Sequence, residues 1–162
     1  MTVQLVVKPA NTFKPEERSA FVELVKQDPQ VNEATLPGLV DDAHFLAFLH
    51  LDGVLVGTNA IKNNPGYWGG IEEKAGVDLP PADYFAEVGY LHVAEGNRGK
   101  KLGDLLILGT FAAVKGQGLF ATIQSTNIGS RRIFERHGFT QVGKSWPSTK
   151  VKDQLNLYIR PK

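Results

Sequence analysis

The stretch Glu95-Gly96-Asn97-Arg98-Gly99-Lys100-Lys101-Leu102-Gly103 has the residue types and spacing to hold an anion. It follows the apolar run Val88 to Val93 and precedes the helix-like run Leu105 to Val114. Arg98, Lys100 and Lys101 therefore fall in a glycine-bearing turn at the mouth of a helix. The N–H groups that open a helix have no intrahelical acceptor, and the helix dipole adds positive potential there, so a phosphate suits the position. Gly99 and Gly103 would permit a close backbone approach and a turn with positive φ. The same residues would serve equally as the solvated tip of a basic surface loop. Taken alone, the stretch does not choose.

Other chemistries fail on context. Gly116-Gln117-Gly118-Leu119-Phe120-Ala121 fits a dinucleotide-binding G-x-G-x-x-A, but it leaves a helix and enters a strand, the reverse of what that motif requires. Gly96 to Lys101 lacks the spacing of a nucleotide P-loop. Ser130 and His137 share a helix face but stand seven residues apart. At ~1.5 Å per residue that is about 10 Å, too far for a nucleophile and its base. The histidines show no paired ligand spacing, so no metal site is expected. Without cysteine there is no disulfide, thiol nucleophile or thiolate site.

The elements that must position the turn can be read in order. Val3 to Val7 is a β-branched strand, and Pro15 to Lys26 a helix opened by proline and acids. Asp28 to Pro37 reads as irregular chain with at most a helical turn. Ala43 to Leu51 and Val54 to Ile61 flank Asp52-Gly53, a strong hairpin signal. His44 and His50 in the first of these strands read as packing residues. Asn63 to Asp83, with three glycine or proline clusters around Tyr67 and Trp68, shows no clear periodicity and reads as a long loop, either a surface excursion or a lid. Tyr84 to Val93 is a strand. Gly103 to about Lys115 is a helix apolar nearly all round, which predicts burial on most sides. Leu119 to Gln124 is a strand, Gly129 to His137 a helix stopped by Gly138 with Phe139 placed for a contact beyond it. Thr140 to Trp146 and Asp153 to Ile159 close the chain. The order β-α-β-β-β-α-β-α-β-β predicts a mixed α/β layer fold.

Bulk properties agree with one folded domain over residues 1–162: 42% hydrophobic and 22% charged residues argue against disorder. A net charge of +1 argues against a nucleic-acid partner. The N-terminus lacks a signal-peptide pattern and no apolar run approaches the ~20 residues of a membrane span, so a cytoplasmic protein without a membrane partner is expected.

A second segment then changes the reading of the first. Asn127-Ile128-Gly129-Ser130-Arg131-Arg132-Ile133-Phe134-Glu135-Arg136-His137-Gly138-Phe139 follows Arg98-Gly99-Lys100-Lys101-Leu102-Gly103 in the chain. In this order and spacing the two resemble the GNAT superfamily of acyl-CoA-dependent N-acetyltransferases, the first its Q/R-x-x-G-x-G/A pyrophosphate loop and the second its N-x-x-[AS]-x-x-x-[YF]-x-x-x-G-F helix. The resemblance implies a mixed, mostly antiparallel sheet flanked by helices, with central strands that splay apart. It implies acetyl-CoA as co-substrate, held at its pyrophosphate by Arg98, Gly99, Lys100, Lys101, Leu102 and Gly103. The backbone of Leu91, His92 and Val93 would pair with the pantetheine arm, and Asn127, Ser130 and Phe134 would line the same channel.

Two positions depart from the family pattern. Lys101 stands where glycine is preferred. Phe134 stands where many members carry a tyrosine thought to protonate the leaving thiolate, so water or Tyr90 would have to serve. Glu87 is the candidate base. By period-two alternation it shares a strand face with Gly89, Leu91 and Val93, and its position is similar to the strand glutamate of histone-type members. His92 then points to the opposite face, and Arg131, Arg132 and Arg136 read as a solvated helix face. The implied reaction is direct attack of a primary amine on acetyl-CoA. The acceptor is a small amine, an amino-acid derivative, or a protein N-terminus or lysine, and Tyr67, Trp68, Glu72, Glu73, Asp78, Asp83 and Trp146 either hold it or form ordinary polar surface. A homodimer is compatible with all of this. The alternatives are a non-catalytic acyl-CoA-binding or regulatory module, and an acetyltransferase toxin acting on aminoacyl-tRNA, which the near-neutral charge disfavours.

Overall fold

A computed structural model describes every residue from Met1 to Lys162. The elements are β1 (Val3–Lys8), α1 (Pro15–Val25), α2 (Leu36–Asp41), β2 (Phe45–Leu51), β3 (Val54–Ile61), α3 (Pro65–Ala75), β4 (Ala86–Val93), α4 (Leu102–Ala113), β5 (Leu119–Gln124), α5 (Ile128–Arg136), β6 (Thr140–Pro147) and β7 (Gln154–Arg160). Short 3-10 turns occupy Ala10–Thr12 and Glu95–Asn97. The strand order is β1-β2-β3-β4-β5-β7-β6. β1–β2, β2–β3, β5–β7 and β6–β7 are antiparallel, and β4–β5 is parallel through Ala86↔Leu119 and Glu87↔Phe120. The mixed, mostly antiparallel sheet flanked by helices is therefore present. α2 and α3 are additions to the expected order.

The chain forms two compact units, Met1–Asn63 with Gly89–Lys115, and Asn64–Val88 with Gly116–Lys162. In the first, β2 is buried on both faces. Leu46 and Phe48 join Phe21, Val25, Leu36 and Val40 on the side of α1 and α2. Ala47, Leu49 and Leu51 join Val56, Leu102 and Leu106 on the side of α4. Burial on both faces explains why the strand is apolar at nearly every position rather than alternating. The β2–β3 hairpin turns at Asp52 and Gly53, whose φ angles of 48° and 81° are those of a type I′ turn. α1 opens as expected, with Pro15 in its first turn and Lys14 N donating to Glu17 Oε1 at 2.9 Å. α4 is buried on one side only: Leu106, Ile107 and Phe111 face inward, whereas Leu108 is 58% exposed. Its sequence is apolar all round, but packing against β1, β2 and β3 uses a single stripe.

In the second unit the expected loop between Asn63 and Asp83 is mostly helix. Pro65 occupies the first turn of α3, and Gly76, at φ 68°, ends it with its N–H on Glu72 O. Trp68, Ile71 and Ala75 recur at helical spacing and pack with Leu79, Tyr84, Phe120, Trp146 and Leu157. Gly66, Gly69 and Gly70 mask this pattern, each costing about 1 kcal/mol of helix propensity against alanine. Burial of the Trp68 stripe outweighs that cost. α5 ends as expected at Gly138, at φ 90°, where Phe139 N donates to Phe134 O and the two rings meet edge to face at 5.0 Å.

Gly118 marks the tightest crossing in this unit. A Cβ there would stand 1.8 Å from Asp83 O, and the Gly118 carbonyl accepts from Phe85 N at 2.7 Å. Gly118→Ala is expected to cost about 1–3 kcal/mol, read from the urea midpoint. An unchanged midpoint would mean that the Asp83 backbone yields freely.

Candidate active site

The first unit supplies the end of β4, the turn after it and the start of α4. Tyr90 has φ 61°, a conformation that a bulky residue adopts only when its surroundings impose it. Its carbonyl accepts from Thr58 Oγ1 at 2.8 Å, its ring meets Phe21 edge to face, and Lys62 Nζ lies 4.4 Å from the ring centroid. A left-handed residue breaks the period-two alternation of the strand, so the face shared by Glu87 and Gly89 with Leu91 and Val93 does not hold. Leu91 and Val93 pack with Leu102 and Leu106 of α4. His92 is buried, and its Nε2 is 3.1 Å from Gln27 Oε1. Burial, and then the positive charge of Arg98, hold the His92 imidazole below its ordinary value, so it is neutral at neutral pH.

Beyond β4, Arg98 Nε donates to Val93 O at 2.9 Å and Lys100 Nζ reaches Asn97 Oδ1 at 3.4 Å. The first folds the exposed turn back on the strand it leaves, and the second closes within the turn. Gly99 takes φ 79°, as expected. Gly103 does not need positive φ: it lies within the first turn of α4 and is buried. The second left-handed position is Lys101, at φ 59°, the residue immediately before α4. The Lys101 side chain makes no capping bond at α4, whose first turn also carries Asp104, and N–H groups at a helix start have capacity for an anion. The glycine preference at this place in the loop thus has a backbone cause, and lysine meets it under strain.

The second unit supplies Glu87 and α5. Glu87 is 3% exposed. Asn64 Nδ2 donates to its Oε1 at 2.8 Å, and Thr122 Oγ1 lies 3.4 Å from its Oε2. Asn64 stands at the N-cap of α3 yet makes no capping bond. The amide is turned to the carboxylate instead. Glu87 lies beside Phe120 in the β4–β5 register, and Trp68 meets Phe120 edge to face at 5.0 Å. A buried carboxylate with amide and hydroxyl donors can take a proton or hold a cation.

At α5, Asn127 Oδ1 accepts from Ser130 N at 3.1 Å and so serves as the N-cap. A ligand at this helix start would meet the Asn127 Nδ2 group. Phe134 is buried against Phe139. Arg131 is not part of a solvated face: its Nε donates to Tyr158 Oη at 2.9 Å and Nη1 to Ser125 O at 3.0 Å, which ties α5 to β7 and to the end of β5. The residues considered for the acceptor also divide. Trp68 and Trp146 belong to the packed cluster, and Glu72 Oε2 accepts from Leu79 N, fixing the chain after α3. Asn64 was missed because a loop reading hides an N-cap. The Asn-Pro pair ahead of a helical stripe was the available signal.

A model of the acetyltransferase (GNAT) family matches residues 10–139. The chain belongs to that family. Among solved structures, Escherichia coli ElaA aligns with a TM-score of 0.73 at 14% identity, over 98% of this chain and 99% of that one. An acyl-CoA N-acyltransferase from Pseudomonas aeruginosa aligns at 0.70 and 13% identity, with the same coverage. The yncA protein of Salmonella typhimurium, described as a putative acetyltransferase with its cofactor acetyl-CoA, aligns at 0.67 and 16% identity, over 98% and 94%. At these identities the likeness establishes the GNAT fold. No curated protein sequence matches the chain. No helix of the GNAT chain is long and apolar enough to cross a membrane.

Two predictions follow from the turn and from β4. Lys101→Gly removes a left-handed non-glycine residue and is expected to raise stability by about 0.5–1 kcal/mol in urea unfolding. A loss of stability would show that Lys101 is held there by favourable contacts. For His92 the folded state resists a proton that the unfolded state accepts near the ordinary value of 6.5. Stability is therefore full above that value and lost as pH falls below it. Tm should decline between about pH 7 and 5, and His92→Gln should flatten the decline. His44, also held low by burial, contributes in the same direction and leaves a residual slope.

Proposed function

We propose that this chain moves an acetyl group from acetyl-CoA to a primary amine by direct attack, as a single domain built on its two units. The observation that carries this reading is the start of α4, where the left-handed Lys101 makes no side-chain capping bond and follows Arg98, Gly99 and Lys100. Family membership and the acetyl-CoA named with the Salmonella structure support it. In this reading Arg98 to Gly103 hold the pyrophosphate, and Leu91, His92 and Val93 present backbone groups to the pantetheine arm. Asn127, through its Nδ2, and Ser130 and Phe134 line the same chain.

The amine nitrogen attacks the thioester carbonyl carbon. Its bond to that carbon forms, the carbon–sulfur bond breaks, and the sulfur leaves as thiolate. Glu87 takes the proton that the amine sheds, directly or through water, and the contacts from Asn64 and Thr122 hold its two carboxylate oxygens in place. The thiolate takes its proton from water or from Tyr90, because Phe134 carries no hydroxyl. The absence of a phenol there favours one competing reading, a module that binds acyl-CoA and does no chemistry.

The test is CoA release from acetyl-CoA with a panel of primary amines, followed over pH. Turnover on at least one amine supports the enzyme. Tight CoA binding with no release on any amine supports the module. Glu87→Gln is expected to lower turnover about 100-fold, most at low pH where free amine is scarce. An unaltered pH–rate profile would remove Glu87 from the proton's route.

A further inference from the structure

The first turn of α3 carries two polar atoms that the fold leaves unpaired. Asn64 Oδ1 and Trp68 Nε1 are both shut off from solvent and have no hydrogen-bond partner. Each such atom destabilises the fold that leaves it unpaired. They stand four residues apart across a helix start, a spacing that puts side chains on one face roughly 5–6 Å apart. Both belong to the surroundings of Glu87: Asn64 through its bond to Oε1, and Trp68 through Phe120, which lies beside Glu87 in the strand register. Asn64 also forgoes the capping bond open to it. A buried acceptor and a buried donor left open beside a buried carboxylate have the polarity of a binding subsite.

We propose that this turn is the acceptor subsite, built for a small amine that carries an oxygen close to its nitrogen. The inference rests on the reading of Glu87 as the proton acceptor. Asn64 Oδ1 and the Glu87 carboxylate receive N–H groups of the amine. Trp68 Nε1 donates to the neighbouring oxygen, a carbonyl or hydroxyl one or two carbons away. A simple alkylamine satisfies the carboxylate and leaves Trp68 unpaired. Both atoms are closed to solvent, so admission requires the first turns of α3 to move. Their make-up suits that movement: Gly66, Gly69 and Gly70 are exposed, nothing lies within 4 Å of where their side chains would be, and no capping bond anchors the helix start. The closed setting of the two atoms favours a small molecule over a peptide end.

The experiment compares kcat/KM for glycinamide, ethanolamine and n-propylamine, corrected for the fraction of free amine, in wild type and Trp68→Phe. The phenylalanine keeps an aromatic ring against Phe120 and removes the N–H group together with the rest of the pyrrole ring, so turnover of n-propylamine by the variant serves as the control for the lost volume. Wild type is expected to favour the oxygen-bearing amines by about tenfold or more, and Trp68→Phe to bring that ratio close to one. A wild-type ratio near one overturns the proposal without use of the variant. A ratio that survives Trp68→Phe overturns the role of Trp68. A hexapeptide with a free N-terminal glycine that outperforms glycinamide overturns the restriction to small amines. Turnover of n-propylamine alone leaves the acetyltransferase reading standing while this inference fails. Turnover of no amine at all overturns both.

Discussion

A carboxylate taken out of water has to be met by donors, and Glu87 sets that demand for the second unit. Asn64 meets it from the start of α3 and Thr122 from β5. Satisfying Glu87 therefore fixes more than one side chain. It ties the entry of α3 to the strand that carries the carboxylate, and it takes the Asn64 amide away from the capping role that its position offers. The helix is held instead by the packing of Trp68, Ile71 and Ala75. Local helix stability is given up at the place where a polar group is wanted. Strain and unmet polar groups at such a place are a common mark of function rather than of poor folding.

The first unit shows a second conflict between local and tertiary demands. Tyr90 and Lys101 both adopt left-handed backbone conformations that neither side chain prefers. Tyr90 is held by Thr58 and by the aromatic packing of α1, and its kink turns the strand so that Leu91 and Val93 meet α4 while His92 meets Gln27. Lys101 makes the last bend before α4, and its side chain makes no capping bond there. Tyr90 immediately precedes, and Lys101 lies within, the stretch from Leu91 to Gly103 in which the family resemblance assigns residues to the cofactor. Burial against the α1 cluster offsets the cost at Tyr90, whereas Lys101 is exposed.

Much of this was legible in the sequence where one signal dominated. Asp52-Gly53 could only be a hairpin turn between two apolar runs, and Gly138-Phe139 could only stop α5. β2 was readable because burial on both faces makes a continuous apolar run. α3 was not, since its glycines suppress the pattern on which helix recognition depends. The one-sided burial of α4 was hidden for the opposite reason: residues apolar on every face do not declare which face is covered. Arg131 looked like a solvent residue because its partner, Tyr158, is distant in the chain.

The sequence by itself determined the family, the order of most elements and the turn that precedes α4, because these rest on local spacing and local backbone preference. It also singled out Glu87, by its place on the strand leading into that turn. Only the tertiary structure decided what surrounds Glu87. Asn64 lies 23 residues away in the chain and Thr122 lies 35. Their meeting depends on β4 and β5 pairing side by side and on α3 packing over Phe120, and no local rule encodes such contacts. The break in alternation at Tyr90 was tertiary for the same reason: a residue takes a conformation that it disfavours only when its neighbours in space require it.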